Sequence, residues 1–209
     1  MQDTAPPKKS RIDEAIRRRK VNRILWTAGI LLAAIVVIWL IVWLVIRGAK
    51  NAPGVAYEEI GREHIGLNDP PPKPYNSNPP SSGGHYASPA HSGVYDYEVN
   101  DKIFIHNLEH GSVWIAYRPS VSGGAVEDLK SIVKEFGGSK IVMAPRSAND
   151  ADIAIVAWAR VLKFDLGNTN GVLSDQQKNE IRRFYRAFKN HGPEFVPGDM
   201  GGVDPKSVQ

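Results

Sequence analysis

"KIFIHNLEHGSVWIAY", residues 102–117, is the stretch on which the fold turns. Its two ends, Lys102–His106 and Ser112–Tyr117, are rich in β-branched and aromatic residues, the composition of strands. Between them "NLEHG" is polar and closes on Gly111. The pattern predicts a hairpin whose bend carries His106, Glu109 and His110. A His-x3-His spacing would also put both rings on one face of a helix, but the turn-like residues between them favour the bend.

Working outward, "GGAVEDLKSIVKEFGG" places Val126, Leu129, Val133 and Phe136 at helical spacing before Gly137–Gly138. "KIVMAP" reads as a short strand stopped by Pro145. "DIAIVAWARVLKF" reads as one longer strand, apolar enough at its start to be central in a sheet. In "SDQQKNEIRRFYRAFKNHGPE", Ser174 and Gln177 form a capping box, and Ile181, Phe184, Tyr185 and Phe188 share one face. The order β-β-α-β-β-α over residues 102–194 predicts a small α+β domain with helices packed on one sheet. The tail 195–209, rich in Gly and Pro, is expected to be flexible.

Upstream, residues 69–101 open on "DPPPKPYNSNPPSSGGHYASPAH", which holds seven prolines and few aliphatic residues. That composition ordinarily makes a spacer. Tyr75 and Tyr86, and the backbone freedom of "SSGG" just before His85, instead predict an irregular arm packed on the domain. Residues 47–68 read as a linker.

Residues 24–46, "ILWTAGILLAAIVVIWLIVWLVI", contain no charge and no proline. As a helix these 23 residues reach roughly 34 Å, enough to cross a hydrocarbon core of about 30 Å. The run is too long for the apolar region of a cleaved signal peptide, so an uncleaved signal-anchor is expected. Eight Lys or Arg against three acidic residues give the first 23 residues a charge of +5, so the rest of the chain, whose total is +4, carries −1. The basic tail 1–23 therefore predicts a cytoplasmic N-terminus and an extracytoplasmic domain. It does not predict nucleic-acid binding by that domain.

There is no cysteine. Disulfide staples, thiolate zinc sites, iron–sulfur clusters and cysteine nucleophiles are excluded. Five of the six histidines fall between His64 and His110. Imidazoles grouped with a carboxylate suit zinc or copper, and the candidate ligands are His64, His85, His106, His110 and Glu109. The same residues also suit a structural hydrogen-bond network, and catalysis is the weakest of the three readings. A serine nucleophile at Ser81, Ser82 or Ser112 would need an oriented histidine and an oxyanion hole, and no phosphate loop, dinucleotide fingerprint or His-Glu-x-x-His helix is present. Met143, in an apolar strand, reads as core filler; Met200 lies in the glycine-rich tail.

At "NPPSSGGH…GVYD…IHNLEHGSVWIAYRP" the sequence resembles the bacterial domain-of-unknown-function family 3105. Pro79, Pro80, Ser82, Gly83 and His85 match a Pro-Pro-Thr-Ser-Gly-Pro-His element. Gly93, Tyr95, the run His106–Gly111, Tyr117 and Pro119 match the remainder. "MAPR" at Met143–Arg146, the strand containing Trp158 and "HGPE" at His191–Glu194 are also similar. Ser81 stands for the usual threonine and Gly84 for proline, and His91 has no counterpart. The resemblance implies a short protein with one N-terminal span and an exported domain; it implies no activity and no cofactor.

Two functions follow as expectations. One is a membrane-anchored metal-binding domain, for copper or zinc, serving delivery or sequestration beside a membrane enzyme. The other is a non-catalytic accessory or assembly subunit of a membrane protein complex, with structural histidines. Convergence of ring nitrogens on one point favours the first; ring N–H groups spent on backbone carbonyls favour the second.

Overall fold

A computed structural model describes residues 8–167, 170–199 and 201–208. Two compact units result, residues 1–52 and 53–209. The first is a single helix, α1 (Lys8–Lys50), long and apolar enough to cross a membrane by length and composition. The basic segment from Lys8 onward continues into the apolar span without a break.

The second unit is α+β. Its elements are β1 (Val55–Ala56), β2 (Gly93–Val94), α2 (Asp101–Glu109), β3 (Val113–Tyr117), α3 (Gly123–Glu135), β4 (Ile141–Pro145), β5 (Ile153–Ala157), β6 (Arg160–Phe164) and α4 (Asp175–Phe188), followed by a 3-10 turn at Pro205–Ser207. The six strands form one mixed sheet in the order β1-β6-β5-β3-β4-β2. β3 and β4 are parallel, which requires a crossover, and α3 supplies it. β5 pairs antiparallel with both β3 and β6.

Strand alternation divides the core in two. Val113, Ile115, Ile141, Met143, Ile153 and Ile155 face one side, where Leu129, Ile132 and Val133 of α3 and Ile181, Phe184 and Tyr185 of α4 cover them. Met143 is thus core filler. Trp114, Ala116, Val142, Ala144, Ala154 and Val156 face the other side, under Ile103, Phe104 and Leu108 of α2. The alanines there leave room for the rings of Phe104 and Trp114, 5.3 Å apart. The capping box forms as its spacing predicts: Ser174 accepts from Gln177 N while the Gln177 side chain accepts from Ser174 N.

The α+β class holds, but two of its predicted elements change. Lys102–His106 is helical, not a strand. Asn100 accepts from Lys102 N as the N-cap, Asp101 sits in the first turn, and Ile103, Phe104, Ile105 and Leu108 are all buried. Burial against the sheet overrides the strand propensity of Ile-Phe-Ile. The predicted long strand Asp152–Phe164 is a hairpin, β5 and β6, bent at Trp158–Ala159 with Ala159 at φ 54°.

Two further regions are more ordered than their composition predicts. In the expected linker, Val55 and Ala56 pair with Val161 and Arg160. In the expected flexible tail, Val203 N donates to Pro89 O (2.8 Å) and Asp199 Oδ1 accepts from Lys140 N (2.6 Å), so these contacts hold it to the domain. Met200, the tail methionine, lies outside the described residues.

Candidate metal centre

The run His106–Gly111 is the last turn and exit of α2. Gly111 N donates to Leu108 O and Ser112 N to Asn107 O, both at 2.9 Å, with Gly111 at φ 76°. This is a Schellman ending, and it needs a left-handed residue where glycine stands. The left-handed position falls on Gly111; His110, at φ −81°, is not in that region. Because the run is helical, His106 and His110 share a face, with Nε2 atoms 3.1 Å apart.

The proline-rich segment lies against this turn. The side chain of Asn107 accepts from Ala90 N (2.9 Å) and donates to Ala90 O (2.8 Å). Tyr75 donates to Gly84 O (2.7 Å), and Ser81, Ser82 and His85 are buried. Residues 61–65 run beside 83–85: Gly83 N donates to Gly61 O, His85 N to Glu63 O, and Ile65 N to His85 O. The pairing sets His64 and His85 side by side.

Three imidazoles and one carboxylate meet as a result. Ring centroids of His64, His85 and His106 are 5.0 to 5.1 Å apart. His85 and Glu109 are sealed at 0% and 2% exposure, His106 is at 5%, and the His64 side chain is half-exposed. One ligand atom from each of His64, His85, His106 and Glu109 lies within 4.8 Å of every other, a group close enough to hold a metal ion. Around a tetrahedral ion bonded at about 2.0–2.1 Å, donor atoms lie about 3.3 Å apart. The distances from Glu109 Oε2 to His85 Nε2 (2.9 Å) and His64 Nε2 (4.0 Å) bracket that spacing.

The rings are oriented by what binds their other nitrogen. His106 Nδ1 lies 2.7 Å from Tyr86 O, and His85 Nδ1 lies 2.8 Å from Gly83 O. A carbonyl can only accept, so each Nδ1 carries a hydrogen and each Nε2 is turned inward. This is the arrangement of metal-ligating imidazoles, whose second nitrogen is fixed by a backbone or carboxylate acceptor. Burial pushes His106 down to about 4, which keeps its Nε2 lone pair free at neutral pH. For Glu109, burial works to raise the carboxyl, but the hydrogen bond with His85 and the fields of His85, His106 and His64 outweigh it, holding the group below the usual range and ionised.

The remaining histidines separate. His110 is grouped with Glu109 and Glu194, its Nε2 3.1 Å from Glu194 Oε2. Burial lowers His110 against the opposing pull of Glu194. His91 Nδ1 accepts from Gly202 N and the exposed His191 lies by Lys189 O, both outside the cluster. Of the serines considered as nucleophiles, Ser81 pairs with the hydroxyl of Ser77 and Ser82 accepts from Ile60 N.

Glu194 was not among the sequence candidates. It reaches α2 because Glu194 N donates to Glu109 O (3.1 Å) and Gly192 packs so closely that a Cβ there would lie 2.0 Å from the same oxygen.

A family model described as a protein of unknown function, DUF3105, matches residues 72–198. The chain belongs to this family. The DUF3105 match takes in His85, His106, Glu109, His110 and Glu194 and stops short of His64. Searches of curated proteins and of solved structures find no match.

Proposed function

We propose that this DUF3105 chain is a membrane-anchored metal-binding protein whose domain takes up one divalent transition-metal ion, zinc or copper(II), through His64, His85, His106 and Glu109. The observation that carries the reading is the donor balance at His85. Its two ring nitrogens face a carbonyl at 2.8 Å and an ionised carboxylate at 2.9 Å, both acceptors. A neutral imidazole has one N–H and meets one of them. Positive charge is required at the other, as a second proton or as a metal ion, and nitrogen and oxygen donors without thiolate suit zinc or copper(II). The carbonyl contacts of His85 and His106 are the sign expected of structural histidines, but each uses one ring nitrogen only and leaves the other inside the cluster, as the second nitrogen of a metal ligand is held.

Sidedness follows from charge: the basic residues preceding the apolar run hold the N-terminus in the cytoplasm and put the domain outside. Because the chain has no cysteine, Glu58→Cys, at an exposed site, is a unique label. Labelling by a membrane-impermeant maleimide on intact cells is the expected result, and labelling only after lysis overturns the orientation.

The binding test uses the full chain in detergent micelles, titrated separately with zinc and copper(II). The wild type is expected to hold ion at the cluster, and His85→Asn and His106→Gln to weaken it at least tenfold. A wild type that binds neither ion, with both variants less stable, makes the histidines a structural network and replaces this reading with the accessory-subunit one.

A further inference from the structure

The geometry points to a second cation position beside the first, formed by His110, Glu194 and Glu109, with the Glu109 carboxylate bridging two ions. This rests on the metal-binding reading above and extends it from one ion to a pair.

A proton shortage carries the argument. The Nδ1 hydrogen of His106 is committed to Tyr86 O, so its Nε2 presents a lone pair. His110 Nε2 lies 3.1 Å from that lone pair and 3.1 Å from Glu194 Oε2, again two acceptors facing one ring nitrogen. A single N–H on His110 serves one well. The shortage seen at His85 thus recurs one helical turn further on, with different partners. One cation does not serve both, because among the described residues no single group close enough to hold an ion contains both His85 and His110: the first group joins Glu109 to His64, His85 and His106, the second joins it to His110 and Glu194. Glu109 is the member common to both, and a carboxylate has two oxygens to share between them. Paired ions bridged in this way sit about 3.5–4 Å apart.

The two positions differ in kind. The first has four protein ligands, enough to close a tetrahedron. The second has three, and Glu194 is exposed, so its remaining coordination position is open to water. The ligand class is a borderline divalent ion with affinity for imidazole and carboxylate, and the side open to exchange is the Glu194 side.

The experiment compares the full chain in micelles with Glu194→Gln and His110→Asn, neither of which removes a member of the His64–His85–His106–Glu109 group. Zinc bound per chain is measured by elemental analysis after equilibrium dialysis. The expected result is two zinc ions for the wild type and one for each variant. Copper(II) gives the independent readout: electron paramagnetic resonance intensity of the two-copper wild type falls well below that of two isolated ions, and each variant regains full intensity for its single ion. A wild type saturating at one ion overturns the second position and leaves the first standing. Either variant retaining two ions also overturns it. A wild type that binds no ion overturns both.

Discussion

At the N-terminal end of α2, Arg146 donates to Asp101 through Nε and Nη2, each at 2.8 Å, and through Nη1 to Asn78 (2.6 Å) and Asn149 (3.1 Å). At the C-terminal end of the same helix, His64, His85 and His106 gather around Glu109, and His110 meets Glu194. Both clusters are largely buried, and both tie the helix to the proline-rich segment. They differ in how donors and acceptors balance. The guanidinium is a fork of fixed donors, and carboxylate and amide oxygens meet it. At the other end, acceptors outnumber the hydrogens available to them. At the Arg146 end the acceptors are met and a buried group left over there is a donor, Asn149 Nδ2; at the histidine end the shortage is of positive charge, which a proton or an ion can supply.

Removing the fork is the hardest way to break that contrast. Arg146→Ala leaves Asp101 without its charge partner and is expected to cost about 3–5 kcal/mol in denaturant unfolding. Zinc bound per folded chain should not change. A parallel loss of zinc would mean that the two ends of α2 act as one unit.

Acid should affect the opposite end. His106 is held at about 4 when folded, mainly by burial, against an ordinary value of 6.5. The unfolded chain therefore binds more protons between these values. Stability from this group is complete above about pH 6.5 and is lost as the pH falls toward about 4, up to about 3 kcal/mol over that window. Denaturant midpoints of the metal-free chain measured across that range should slope accordingly, and His106→Gln should flatten the slope. Protons compete with metal ions for the same nitrogens, so bound zinc should be released in the same window.

The smallest effect is a control outside both clusters. Ser174→Ala removes the α4 capping box and is expected to cost about 1 kcal/mol, with zinc binding and acid sensitivity unchanged.

Much of the sheet and the later helices was legible because the signals were local. Ser174 and Gln177 cap α4 as their spacing requires, and "KIVMAP" ends its strand at proline. α2 was missed because β-branched and aromatic residues fill a short helix buried by its surroundings; the relevant signals were Asn100–Asp101 before it and Gly111 after it. The β5–β6 hairpin was missed because its bend, Trp158–Ala159, contains no Gly, Asn or Asp. At the site, His64, His85, His106 and Glu109 were legible from residue type and clustering. Glu194 was not, because a contact between residues 109 and 194 leaves no local pattern in the chain.

Lys140 carries a consequence of its own. Its ammonium is buried between His110 O (2.8 Å) and Val196 O (2.9 Å), and its amide holds Asp199. One side chain thus bolts the segment bearing Glu194 to the end of the helix bearing Glu109. Hydrogen exchange at Glu194 N should therefore be as slow as within the sheet, and a neutral replacement of Lys140 should free the carboxyl-terminal strap while the sheet stays protected.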